Sequence, residues 1–140
     1  MRVVLDTNIL ISAFVFPGGS PEAVYRLALE ERIELVTSPF LLAEFGRVLT
    51  EKFGRDLRAS TEAVAQVVGI SIVVEPSEAI RVIEADPEDD MVLNAALEAR
   101  AEVIVSGDRH LLQLRSWRGI VIEKASDFLA RFEARGHKGA

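Results

Sequence analysis

A chain of 140 residues, 49% of them hydrophobic, suffices for one domain that buries roughly two thirds of its unfolded surface. With 22 acids against 16 bases, the net charge of −6 excludes a broadly basic surface for coating nucleic acid, so such a partner would need bound cations or a second, basic protein. Absence of cysteine excludes a disulfide framework and thiolate metal sites, and no run approaches the ~20 apolar residues of a membrane span.

The first element is a strand, Arg2-Val3-Val4-Leu5, running into Asp6. An uninterrupted apolar run reads as a buried parallel strand, and an acid at its carboxyl end stands on the rim where open α/β sheets bind ligands. Asp6 and Asn8 interrupt the apolar start and no small-residue cleavage site follows, so a cytoplasmic protein whose fold begins at the first residue is expected. After the apolar segment Asn8 to Val15, the break Phe16-Pro17-Gly18-Gly19-Ser20 leads to a helix capped by Ser20, with Pro21 in its first turn, reaching about Glu31. Ile33 to Thr37 is a second strand. Ser38-Pro39 repeats the cap-then-proline signal for a helix to about Phe53, ended by Gly54.

Gly54 to Ser60, with Arg55 and Arg58, is the expected mobile loop; helical spacing follows to Gly69, then a third strand, Ile70 to Val74. Pro76 to Ala85 is a connector with a short helix. Asp86-Pro87 starts the next helix, to about Arg100, and Glu102 to Ser106 is a fourth strand followed at once by Gly107-Asp108. A short helix from His110 to about Ser116 precedes a fifth strand, Gly119 to Ile122, and an amphipathic helix, Ser126 to Arg135. Strands alternating with helices imply a parallel sheet covered on both faces. Residues 1–135 form one domain and 136–140 a flexible tail.

The acids carry the chemistry. Glu44 falls inside the apolar arc of Phe40, Leu41, Phe45 and Val48, where a carboxylate is normally paired, protonated or bound to a metal; a salt bridge to an Arg at the edge of the core is the ordinary alternative. Asp86, Glu88 and Asp89 are explained by capping and the helix dipole. Asp90 differs, because Leu93 and Leu97 turn it inward and Asn94 can orient it. Asp108 follows the fourth strand as Asp6 follows the first, with Ser106 able to hydrogen-bond either neighbour; Asp6 and Asp108 are each equally readable as helix caps. Four carboxylates on one rim repel by several kcal/mol per close pair, so a cation must sit among them. Oxygen ligands without His or Cys select Mg²⁺ or Mn²⁺ before Zn²⁺, and such ions suit phosphodiester hydrolysis. Neither His110 nor His137 has a partner pattern, and both read as surface residues.

The segments VVLDTNILISA, SPFLLAEFGRVL, DPEDDMVLNAALEA, VSGDRHLL and SDFL, in this order, resemble the PIN-domain ribonucleases, closely the small single-domain prokaryotic type that includes VapC-like toxins of toxin-antitoxin pairs. The resemblance covers nearly the whole chain. It implies a three-layer α/β/α sandwich around a five-stranded parallel sheet in the order 3-2-1-4-5, and Mg²⁺- or Mn²⁺-dependent endonuclease activity on RNA. Asp6, Glu44, Asp90 and Asp108 match the family's catalytic, metal-binding acids, and Asn8 and Ser106 its supporting polar positions. Asp89 stands beside Asp90 as an alternative third acid; helical facing favours Asp90. Glu123-Lys124-Ala125 departs from the Thr-Pro that relatives often carry before the last helix. Homodimers are common in the family, and an antitoxin whose basic residue enters the acidic site holds such toxins inactive. Arg47 and Arg109 are the candidates for gripping substrate phosphates, against the reading that each is a solvated surface residue.

Two other enzyme classes fit worse. A haloacid-dehalogenase-like phosphatase needs a second Asp two residues after the first, where this chain has Asn8, and a dinucleotide-binding domain needs a Gly-rich turn after the first strand. The remaining alternative is a PIN scaffold that binds RNA or a protein without cutting.

Overall fold

The computed structural model describes residues 1–76 and 87–138. The cap at Asp86 and the short helix expected before it lie in 77–86, outside the described residues. Strand β1 (Arg2–Leu5) is central: β2 (Glu34–Thr37) and β3 (Ser71–Val73) lie to one side, and β4 (Val103–Val105), β6 (Ile120–Glu123) and β5 (Ser116–Trp117) to the other. All pair in parallel except β5 with β6. The order β3-β2-β1-β4-β6 is the expected five-strand order.

The antiparallel two-residue strand β5 is the difference. Arg118 and Gly119 both hold positive φ, 50° and 80°, which is the two-residue hairpin turn that matches the strand twist, so Trp117 folds back to pair Ile120. What reads as the loop into the last strand therefore becomes the sheet's sixth, edge strand.

Alternation along the buried strands sends side chains to two cores. Val3, Leu5, Leu35, Val103 and Val105 face helices α1 (Thr7–Val15), α2 (Ser20–Leu29), α3 (Pro39–Glu51), α4 (Leu57–Ile70) and α7 (Ala125–Lys138). Val4, Val36, Ile104, Ile120 and Ile122 face α5 (Pro87–Ala99) and α6 (Arg109–Leu114). These are the expected three layers. Phe45 is wholly buried and meets Phe14 edge to face at 5.2 Å, tying α3 to α1.

Several boundaries differ for local reasons. The apolar run after Asp6 is helix α1, capped by Asp6 itself. Gly19, not Ser20, caps α2, and the Gly18 amide bonds the Glu22 carboxylate. The supposed mobile loop shrinks to 54–56, because Asp56 caps α4 by accepting from the Ala59 amide and the Arg55 guanidinium donates to the Phe14 carbonyl at 3.0 Å. Helix α7 runs to Lys138, past the expected end at Arg135; the helical glycine at Gly136 costs about 1 kcal/mol, too little to stop it. Glu123 takes the Arg131 guanidinium in a fork at 2.6–3.1 Å that ties α7 to β6. Replacing Arg55 by Ala leaves the Phe14 carbonyl without its donor; thermal unfolding of the variant should show a loss of about 1 kcal/mol.

Candidate functional site

Strand β1 is where the sheet order reverses: its successors in the chain lie on one side and β4 on the other, and such a switch point opens a crevice beyond the strands' carboxyl ends. Both strands deliver their next residues there in register. The Asp6 amide continues the ladder to the Val105 carbonyl at 3.0 Å, and the Ser106 amide reaches the Glu123 carbonyl at 3.1 Å.

Four of the residues singled out in the sequence meet at this rim. Asp6 is only 6% exposed and accepts from the Thr7 amide (2.7 Å), the Ser106 hydroxyl (2.7 Å) and the Asn8 side-chain amide (3.2 Å). Ser106 in turn accepts from the Asp108 amide at 2.9 Å, and the Asn8 carbonyl oxygen accepts from the Gly107 amide at 3.1 Å. The Ser106 hydroxyl thus couples the two acid-bearing loops. Asp108 caps α6, its Oδ1 accepting from the His110 and Leu111 amides at 2.8 and 3.1 Å. Capping and rim placement turn out to be compatible, since the cap occupies one carboxylate oxygen of Asp108.

Burial raises the pKa of Asp6 above its ordinary 3.8, and the charge of Asp108 pushes the same way; the hydrogen bonds from Ser106, Thr7 and Asn8 oppose the shift without cancelling it. The fold alone therefore stabilises the ionised form of Asp6 poorly.

Helix α5 brings two acids, Asp89 and Asp90, in its first turn, 5% and 6% exposed. It is Asp89 whose carboxylate gathers with Asp108 and His110, ligand atoms of all three lying within 4.8 Å of one another. His110 Nδ1 stands 3.8 Å from Asp89 Oδ2 and 4.0 Å from Asp108 Oδ1, buried and without a hydrogen bond among the described residues. His110 is thus at the rim, and its reading as a surface residue is corrected. Its signal was its position two residues after Asp108: an acid that caps a helix necessarily places that helix's first turn beside itself.

Glu44 is half-buried on α3 and makes no hydrogen bond or ion pair among the described residues. Arg47 is turned instead to Glu51, one turn on, at 3.3 Å and exposed; Arg109 is exposed beside Asp108. The donor set fits a divalent cation. Asp89 and Asp108 each bring a carboxylate oxygen, and His110 a ring nitrogen, close enough together for one ion to take all three.

A family model described as PIN domain matches residues 2–110. An uncharacterized protein of Methanocaldococcus jannaschii is 33% identical over 119 residues, covering 82% of this chain and 76% of that protein. Among solved structures, the chain is similar to VapBC2 from Rickettsia felis bound to a DNA fragment from its promoter (TM-score 0.62, 13% identity, 89% of this chain and 98% of that one). VapBC-1 from nontypeable Haemophilus influenzae gives a TM-score of 0.60 at 20% identity, with 90% and 99% covered, and PAE2754 from Pyrobaculum aerophilum 0.62 at 21%, with 96% and 90% covered. At these identities the structural likeness speaks for the fold. No helix among the described residues is long and apolar enough to cross a membrane.

Proposed function

The chain belongs to the PIN domain family, and from that premise we propose that it is a divalent-metal-dependent endoribonuclease that hydrolyses phosphodiester bonds at the β1–β4 rim. The observation that carries this reading is the buried Asp6 carboxylate, joined through the Ser106 hydroxyl to the Asp108 loop, with Asp89 and His110 beside it. Asp6 and Asp108, an acid of α5 and Glu44 would hold Mg²⁺ or Mn²⁺; the proximity of Asp89 to Asp108 makes it a candidate for the third position alongside Asp90. Such an ion, when bound, supplies water activation at neutral pH and charge for the leaving oxygen.

The chain's own residues do the positioning. Ser106 and Asn8 fix the Asp6 carboxylate by donating to its Oδ2, and Asn8 at the same time holds the Gly107 amide, so the two loops keep one spacing as ligands come and go. His110, with a free ring nitrogen facing two carboxylates, would lend the site a nitrogen donor that favours Mn²⁺ over Mg²⁺. Arg109 would meet a substrate phosphate; Arg47 would have to leave Glu51 to do so.

The VapBC neighbours support a toxin held in check by a protein partner; a basic partner residue entering the acid cluster, a homodimer and a cytoplasmic location are carried over from the family resemblance as part of this proposal. Calorimetric titration with Mn²⁺ tests the acid set. The wild type should bind saturably, and Glu44→Gln should weaken binding about tenfold or more; unchanged affinity in that variant removes Glu44 from the site.

A further inference from the structure

At the opposite end of the sheet, where the strands begin, a cavity of about 470 Å³ opens between the end of α5, the starts of β4 and β6, and the outer face of α7. That is a volume typical of small-molecule sites. Met1, Leu97 and Val121, each half-buried, form its apolar floor. Four arginines, Arg100, Arg118, Arg131 and Arg135, line it against a single lining acid, Glu102. Arg131 is neutralised by its fork to Glu123, whereas Arg100, Arg118 and Arg135 are exposed and make no ion pair among the described residues.

This concentration of cations is unexpected in a chain of net charge −6. Two of the arginines, Arg100 and Arg118, also hold left-handed backbone, with φ of 53° and 50°, where glycine would be free of steric cost and would leave no cation. The Arg118 guanidinium lies 4.8 Å over the Trp117 ring, which holds it as a flat surface at the edge of the cavity. Three of the four arginines lie beyond the residues matched by the family model.

We infer that this cavity binds a phosphate-bearing ligand of mononucleotide size, its phosphate on the unpaired arginines and its base on the apolar floor. Guanidinium groups match phosphate geometry and stack on planar rings, and an apolar floor suits a base better than it suits a free inorganic ion. The site is remote from the acid rim and does not depend on the reading of that rim.

Trp117 is the only tryptophan in the chain, so its emission reports on this corner alone. The full-length protein, in EDTA so that no metal ion bridges a nucleotide to the acids, is titrated with AMP, GMP, ATP, pyrophosphate, inorganic phosphate and a short oligoribonucleotide without terminal phosphates. At least one mononucleotide should change Trp117 emission saturably. By calorimetry, the double variant Arg118→Ala and Arg135→Ala should bind it at least tenfold more weakly with its thermal unfolding unchanged, whereas Asp6→Asn should bind as the wild type does. Equal affinity in the double variant overturns the inference. So does inorganic phosphate binding as tightly as any nucleotide, or a response to the oligoribonucleotide alone.

Discussion

In EDTA at neutral pH, Asp6→Asn should unfold at a higher temperature than the wild type. The cause is that burial and the neighbouring Asp108 make the ionised Asp6 unfavourable in the folded state. The sign follows from linkage: with the folded pKa above 3.8, Asp6 favours folding while protonated, and that contribution is lost as pH rises through the folded value. The variant's advantage should therefore shrink as pH falls through that folded value into the range where Asp6 is protonated. There it should reverse, because an amide at Oδ2 faces the Asn8 amide donor and loses that hydrogen bond. Mn²⁺ should invert the order at neutral pH, since a ligand at a hundred times its Kd stabilises the wild type by about 2.7 kcal/mol. Thermal unfolding at three pH values, with and without Mn²⁺, checks each sign. A variant that is less stable than the wild type in EDTA at neutral pH would show that the hydrogen bonds outweigh the buried charge.

Asp108 separates chemistry from capping. Asp108→Ala removes the acceptor for the His110 and Leu111 amides and should cost about 1 kcal/mol, while Asp108→Asn keeps a good cap and should cost little or nothing. Both remove the carboxylate. Both should therefore lower metal-dependent RNA cleavage by a hundredfold or more, despite their different stabilities. If Asp108→Asn retains cleavage and only Asp108→Ala loses it, the residue is a helix cap and nothing more.

How much of this was legible follows from how far each feature depends on local sequence. Asp6 and Asp108 are readable because each ends an apolar strand, and Ser106 and Asn8 because they sit within two residues of those acids; hydrogen bonds join all four. The strand order comes with the resemblance, not with periodicity. Strand β5 was hidden by its length of two residues and by a turn in which an arginine holds the positive φ usually given to Asn or Gly. Asp89 and Asp90 are almost equally buried, so helical facing, which looks only along α5, could not say which would approach Asp108 across the crevice. Local sequence places His110 beside Asp108, whereas its approach to Asp89 depends on how α5 and α6 meet. The arginine-lined cavity has no sequence signature, being assembled from the ends of four elements.

The most direct test of the central claim is cleavage of a mixed panel of single-stranded and structured RNAs by the purified chain in Mn²⁺, Mg²⁺ or EDTA, with Asp6→Asn alongside. The wild type should cut with either metal and not in EDTA, and the variant should not cut at all. Cutting that persists in EDTA, or an equal rate in Asp6→Asn, would contradict that claim.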